Sequence, residues 1–312
     1  MINVKEFYKL LLKAYALPVL QQYLKMTNKI FVSIASYKDV DIINTIEDLY
    51  EKAEQPNRVY VGLFLQDTPK EISRICSFFS NFIYKANLKI KTISFEDAKG
   101  CGWARNIILK ELYDNENYFM CVDSHSRFLK KWDSVYIDAY KKAPANAVIS
   151  AFPQPFDFNQ TYEQYNKRNI TTIYTPDKLP LLNDFTYCQK TTTERYEKVM
   201  SISGGNIFGD SRLAKAITLD DYSFVHNKEQ EIYSLLIYLY GLDIYAIPQN
   251  VVWHKYIVED SYRDLFNPKQ IKYNTDFLSS LKTKETNRTI KGWVDLIQKD
   301  CDECKKTKQL NS

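Results

Sequence analysis

The sequence predicts an α/β protein with a mainly parallel central sheet flanked by helices. Short β-branched apolar runs alternate with segments of helical period from Lys29 onward, the pattern of successive βαβ units. The first such run is apolar apart from Ser33, as a strand covered on both faces is. Length agrees with this: 312 residues, 45% of them apolar, are enough for one large α/β domain or two smaller ones.

Taken in order, Ile30–Ala35 reads as a buried strand and Val40–Ala53 as an amphipathic helix. Arg58–Leu65 is the second strand, Pro69–Tyr84 the second helix and Leu88–Ile93 the third strand. A helix from about Trp103 to Tyr113 leads to the strand Tyr118–Val122, which runs directly into Asp123-Ser-His125. A helix Trp132–Lys142 and a strand Ala147–Ser150 follow. Periodicity is lost from Phe152 to Tyr196, where Pro153, Pro155, Pro176 and Pro180 punctuate a long loop region of the kind that is usually functional. Order resumes at Ser203–Phe208, with a short helix at Ser211–Lys215 and a longer one at Lys228–Tyr240 that Gly241 caps. Strands at Asp243–Ile247 and Val251–Trp253 lead into His254. The expected organisation is an N-terminal helical extension over 1–28, the α/β domain over 29–257, and a charged helical appendage over 258–312 outside the site.

Composition narrows the partners. The 42 basic and 38 acidic side chains leave a net charge of +4, too even to argue for nucleic acid. The only dense basic run, Lys305, Lys306 and Lys308, reads as a solvated tail. Phe7–Leu24 is apolar at helical spacing, but Lys9, Lys13 and Pro18 prevent it from spanning a bilayer. It fits packing against the main domain, with peripheral membrane contact as the alternative. No secretory signal is visible, and the six cysteines form no disulfide framework, so a reducing cytoplasm is the expected compartment. Cys301 and Cys304 lack the second pair that a structural zinc site needs.

Only three histidines are present: His125, His226 and His254. Two of them follow predicted strands. In a parallel sheet, ligands lie beyond the carboxyl ends of the strands, which is where Asp123 falls. Asp123-x-His125 presents a carboxylate and an imidazole to one side of an extended turn, and His254 from another strand end completes a mixed nitrogen and oxygen set. Such a set suits Mn2+, or Mg2+ in its place, with open positions for phosphate oxygens. The spacing alone equally admits a loop cap beside a satisfied histidine.

A longer series of motifs adds to these residues. Lys29-Ile-Phe-Val-Ser-Ile-Ala-Ser-Tyr-Lys-Asp39, Arg58-Val-Tyr-Val-Gly62 with Gln66, and Ala98-Lys-Gly-Cys-Gly-Trp-Ala-Arg105 come first. Val122-Asp-Ser-His-Ser-Arg-Phe128 with Trp132-Asp133, Ser203-Gly-Gly205, Gly241-Leu-Asp-Ile-Tyr245, Pro248 and Val252-Trp-His-Lys-Tyr256 complete it. In this order they resemble the glycosyltransferase family that includes the cytoplasmic hydroxyproline N-acetylglucosaminyltransferases, over roughly residues 29–257.

The resemblance implies a GT-A type nucleotide-diphospho-sugar transferase fold. Asp123, His125 and His254 would hold the metal, with Asp123 also counted as catalytic. Ala35, Ser36 and Tyr37 would border the nucleotide base. Arg105 would reach the nucleotide and brace the metal loop, and Ser124 would complete the D-S-H motif at the donor. Gly204 and Gly205 would let backbone approach donor sugar or acceptor. The family has a G-E-E segment where this chain reads His226-Asn-Lys-Glu-Gln-Glu231, without the glycine and with Gln230 between the acids. Glu229 or Glu231 would therefore meet the sugar or acceptor hydroxyl, or one would only begin the helix, where carboxylates are favoured.

The implied activity is transfer of a sugar, N-acetylglucosamine from UDP-GlcNAc, with retention of configuration. The acceptor would be a hydroxyl on a protein, a polysaccharide or a lipid-linked glycan. Two other readings use the same residues: a metal-dependent phosphohydrolase, which calls for more carboxylates near the metal, and a catalytically silent module that binds carbohydrate or a partner.

Overall fold

A computed structural model describes residues 28–167, 171, 173–176, 187–190, 195–219, 229–256 and 287–310. The expected N-terminal helix, His226 and residues 257–286 lie outside the described residues. The chain runs β1 (Ile30–Tyr37), α1 (Ile42–Lys52), β2 (Val59–Asp67), α2 (Pro69–Ser80), β3 (Leu88–Ser94) and α3 (Cys101–Glu111). It continues through β4 (Tyr118–Asp123), β5 (Ser126–Phe128), α4 (Trp132–Lys142), β6 (Ala147–Ser150), β7 (Gln154–Pro155) and α5 (Tyr162–Tyr165). Next come β8 (Ile173–Pro176), β9 (Tyr187–Lys190), β10 (Glu197–Val199), β11 (Asn206–Asp210) and α6 (Ser211–Ile217). The last elements are α7 (Glu229–Leu239), β12 (Asp243–Ala246), β13 (Val252–His254) and α8 (Ile290–Leu310).

Eight strands form one sheet in the order β10-β12-β6-β11-β4-β1-β2-β3. The pairs β4–β1, β1–β2, β2–β3 and β12–β6 are parallel, whereas β11 runs antiparallel to both of its neighbours and β10 to β12. Alternate side chains of the central strands serve two separate cores, as a pleated strand requires. Ile30, Val32, Ile34, Met120 and Val122 pack with Ile46 and Leu49 of α1, Phe79 of α2 and Trp132 and Tyr136 of α4. Phe31, Phe64, Phe119 and Cys121 pack on the other face with Ala104 and Ile108 of α3, Leu213 of α6 and Ile232 and Ile237 of α7. The sheet is thus covered on both sides, which explains why its central strands are predominantly apolar rather than alternating.

The long stretch read as loop contains β7, the one-turn α5 and the antiparallel β8–β9 pair, and β10 follows directly after it. Runs of two to four residues are too short to show a period, so the sequence concealed them. The important case is β7, because a second sheet of order β5-β13-β7 joins it to the segments beside Asp123 and His254. Gly241 ends α7 at φ 86°, the left-handed conformation expected of a helix-capping glycine. Trp293 and Ile297 of α8 are buried against Leu235 and Leu239 of α7, so this part of the C-terminal segment is packed on the domain. Among the described residues, no helix is long and apolar enough to cross a membrane.

Candidate metal and donor site

Asp123 is the last residue of β4, and its register partner on β1 is Ala35. The carboxyl ends of the two central parallel strands therefore stand side by side, with Ser36 and Tyr37 extending β1 beyond Ala35. Ser36 is fully buried, and its Oγ has no hydrogen-bond partner among the described residues. Beyond Asp123 the chain turns through Ser124 and His125 into β5. Antiparallel pairing of β5 with β13 places His254 opposite Ser126, and the Lys255 N–H donates to the His125 carbonyl at 3.2 Å. Two segments 129 residues apart thereby bring their imidazoles together, with His125 Nε2 3.0 Å from His254 Nε2.

His254 Nε2 is also 3.0 Å from Asp123 Oδ2. One donor atom from each of Asp123, His125 and His254 falls within a 4.8 Å cluster. Two imidazole nitrogens facing one another beside a carboxylate oxygen are better satisfied by a shared cation than by one proton, so the donor set fits a divalent ion. Gly205 closes the other side. A Cβ on it would lie 2.4 Å from Asp123 Oδ2, so only glycine permits this backbone approach. At Gly204 a Cβ would be 3.3 Å from Arg105 Nη1 and 3.5 Å from Gln230 Cγ. Asn206, the first residue of β11, anchors the glycine pair: Tyr136 donates to its Oδ1, and its Nδ2 donates to the Ala151 carbonyl at 3.0 Å.

Arg105 on α3 is 3% exposed and bridges two carboxylates. Its Nη2 donates to Asp123 Oδ1 and its Nη1 to Glu229 Oε1, each at 2.6 Å. Arg105 thus bonds Asp123 directly. Glu229 begins α7 and is 3% exposed, as is Glu231 in the same first turn. Gln230, the residue that interrupts the acidic pair, is the one that packs on Gly204.

The electrostatics follow from these contacts. Burial pushes the Asp123 carboxyl up, but the His254 hydrogen bond and the Arg105 guanidinium more than offset it and hold the group well below the usual carboxylate range. Burial likewise opposes the charge on His125, and its bond to Asp39 overcomes this and raises the imidazole above its ordinary value. Asp39 is lowered against the pull of burial, chiefly by the same His125 bond.

Asp39 is the residue that sequence reasoning missed as a member of the site. It lies just beyond the carboxyl end of β1, the position that drew attention to Asp123, so the strand-end rule was the available signal. The arrangement of Asp41 and Thr45 around the D-S-H turn was not legible, because their partners lie about 80 residues away.

A mostly parallel sheet with an Asp-x-His cluster at the carboxyl edge of a central strand defines a GT-A type glycosyltransferase fold. The family described as Glycosyltransferase (GlcNAc) matches residues 29–81 and 73–309, and the chain belongs to it. Among solved structures, the crystal structure of GalNAc-T7 with UDP, GalNAc and Mn2+ is similar with a TM-score of 0.60 at 11% identity, over 82% of this chain and 48% of that one. The 1–349 segment of S. aureus TarS in complex with UDP-GlcNAc gives 0.47 at 17% identity, over 74% of this chain and 59% of that one. At such identities the likeness is one of fold, and this chain spans about half the length of the first and under two thirds of the second. No curated protein matches.

Proposed function

We propose that this protein is a metal-dependent transferase that moves N-acetylglucosamine from UDP-GlcNAc, with retention, to a hydroxyl acceptor on a protein or glycan. The observation that carries the reading is the cluster of Asp123, His125 and His254 donor atoms at the carboxyl edge of β4, roofed by Gly205, in a chain of this family. The structure of GalNAc-T7 with UDP, GalNAc and Mn2+ is in keeping with the cofactor and donor class, Mn2+ or Mg2+ and a UDP-sugar. Asp123, His125 and His254 would hold the ion, whose chemistry is to offset the charge that builds on a departing diphosphate.

The protein's own contribution is orientation. Arg105 fixes one oxygen of Asp123 and leaves the other toward the histidines. Ala35, Ser36 and Tyr37, at the neighbouring strand end, would border the uracil, and the unpartnered Ser36 hydroxyl suits a polar ligand there. Ser124 would complete the donor side, and the Gly204-Gly205 backbone would admit the sugar diphosphate. Glu229 bonds Arg105 and would act by positioning; Glu231, in the same buried first turn of α7, is the other candidate for the sugar or acceptor hydroxyl. Residues 29–257 would form the catalytic domain, with the segments before and after it as accessory parts. The free thiols of Cys76, Cys101 and Cys121 fit the reducing cytoplasm expected for it. A phosphohydrolase would place further carboxylates at the ion; among the described residues the cluster holds Asp123 alone.

The test is calorimetric titration of UDP-GlcNAc with and without Mn2+, on the wild type and on Asp123→Ala and His254→Ala. The expected result is Mn2+-dependent binding that both substitutions abolish. Absence of binding to any nucleotide sugar by the folded, Mn2+-supplied wild type would overturn the reading.

A further inference from the structure

The loop between β1 and α1 grips the turn that carries the metal-binding histidine. Lys38, the residue after β1, has φ 46°, a left-handed conformation that a non-glycine residue adopts at a cost of about 1 kcal/mol or more. Its N–H donates to the Gln66 carbonyl at 2.9 Å, and the chain is thereby turned so that Asp39 lies under the D-S-H segment. Asp39 is 5% exposed. Its Oδ1 accepts the Asp41 N–H at 2.8 Å, a local turn that fixes the carboxylate plane. That leaves Oδ2 for His125 Nδ1 at 2.6 Å and for the Ser124 hydroxyl.

Neighbouring contacts hold the rest of the turn. Asp41 receives both terminal nitrogens of Arg127, at 2.7 and 2.9 Å. Thr45 of α1 donates to the Ser124 carbonyl at 2.8 Å and accepts the Ser126 N–H at 3.0 Å. These bonds would suffice to hold the backbone. The bond from Asp39 to the imidazole itself has a different consequence. With a carboxylate on Nδ1, the neutral ring keeps its proton there and presents the Nε2 lone pair to the space shared with Asp123 and His254.

We infer that Asp39 is a positioning residue of the metal site: its carboxylate sets the tautomer and orientation of His125 so that Nε2 serves as the metal donor. The inference rests on the metal-binding reading proposed above and adds to it a residue that does not touch the ion. A carboxylate behind a ligating histidine also makes the donor nitrogen more basic, and losing such a partner weakens metal affinity by about 10–100-fold. Asparagine keeps the size and one acceptor oxygen but removes the charge, so it separates the electrostatic role from simple space filling.

The experiment measures free Mn2+ by electron paramagnetic resonance in the presence of UDP, for the wild type and Asp39→Asn. It is joined by nitrogen-resolved NMR of His125 in the metal-free wild type at alkaline pH. The expected results are a Kd for Mn2+ about 10–100-fold weaker in Asp39→Asn, and a His125 proton on Nδ1. An unchanged Kd in the folded variant overturns the inference, and so does a proton on Nε2 in the wild type, which needs no variant to fold. If the wild type itself binds no Mn2+ while UDP is bound, the metal reading falls and takes this inference with it. A wild type that binds Mn2+ beside an unaltered Asp39→Asn removes this inference alone.

Discussion

Gly205 shows how narrow the tolerance at this site is. Its α-carbon faces Asp123 so closely that an added methyl group would overlap the carboxylate oxygen, at 2.4 Å. Gly205→Ala is expected to push Asp123 away from His254 and to lose most Mn2+-dependent nucleotide binding. Overpacking of this kind costs about 1–3 kcal/mol, which urea denaturation will register. The His125–Asp39 pair makes a second prediction. Burial opposes the imidazolium, yet Asp39 raises its pKa above the ordinary value of about 6.5, so the folded metal-free protein holds that proton more tightly than the unfolded chain does. Its stabilisation is complete below about pH 6.5 and is lost as pH rises through the raised folded value. Metal needs the unprotonated ring, so Mn2+ affinity should strengthen over the same rise. Melting temperatures of the metal-free protein and Mn2+ titrations across this range read the two opposite trends. At this scale the sequence named Asp123, His125 and His254 and the resemblance named Arg105, but the partners Asp39 of His125 and Glu229 of Arg105 were hidden, 86 and 124 residues away.

At the scale of elements, the Trp132-Asp133 pair at the start of α4 anchors the region that supports the site. Trp132 donates its indole N–H to the Leu49 carbonyl at 2.8 Å and packs on Phe128 at a ring separation of 5.4 Å. Asp133, fully buried, accepts the Glu54 and Gln55 N–H groups at 2.7 and 3.0 Å and two nitrogens of Arg58 at 3.0 and 2.8 Å. It thus ties α1, the turn into β2 and α4 together. Asp133→Asn leaves the buried Arg58 without its counter-charge, and breaking such a pair costs about 3–5 kcal/mol. Chemical denaturation should show that loss, whereas the Mn2+ affinity of the variant that remains folded should stay at the wild-type level, since none of these partners belongs to the metal cluster. The regular elements were legible from a helical period or a continuous apolar run: α4 was expected and found at Trp132–Lys142, and β6 at Ala147–Ser150. The short strands β5 and β7 were not, because two or three residues carry no period; β13 was expected at Val251–Trp253 and lies at Val252–His254.

For the molecule as a whole, the site joins the carboxyl edge of the main sheet to the small β5-β13-β7 sheet, so ligands there should stabilise both cores together. Mn2+ with UDP at 100 times its Kd adds about 2.7 kcal/mol to the folding free energy by mass action. Thermal unfolding should therefore show an upward shift with the pair, reversed by a chelator and absent in His254→Ala. A protein whose melting is indifferent to Mn2+ and UDP would contradict the proposed donor site.

By itself, the sequence determined the layered α/β architecture. Buried strands and amphipathic helices declare themselves locally, through the period of their apolar residues. It also singled out Asp123, His125 and His254 as candidate metal ligands, because the chain has only three histidines and two of them follow strands. Tertiary structure alone decided which groups meet. His254 reaches His125 through β-pairing across 129 residues, Gly205 lies against Asp123 through the antiparallel β11, and Asp39 reaches His125 from the neighbouring strand end. Contacts of that sequence separation depend on strand order and register, which no local pattern encodes.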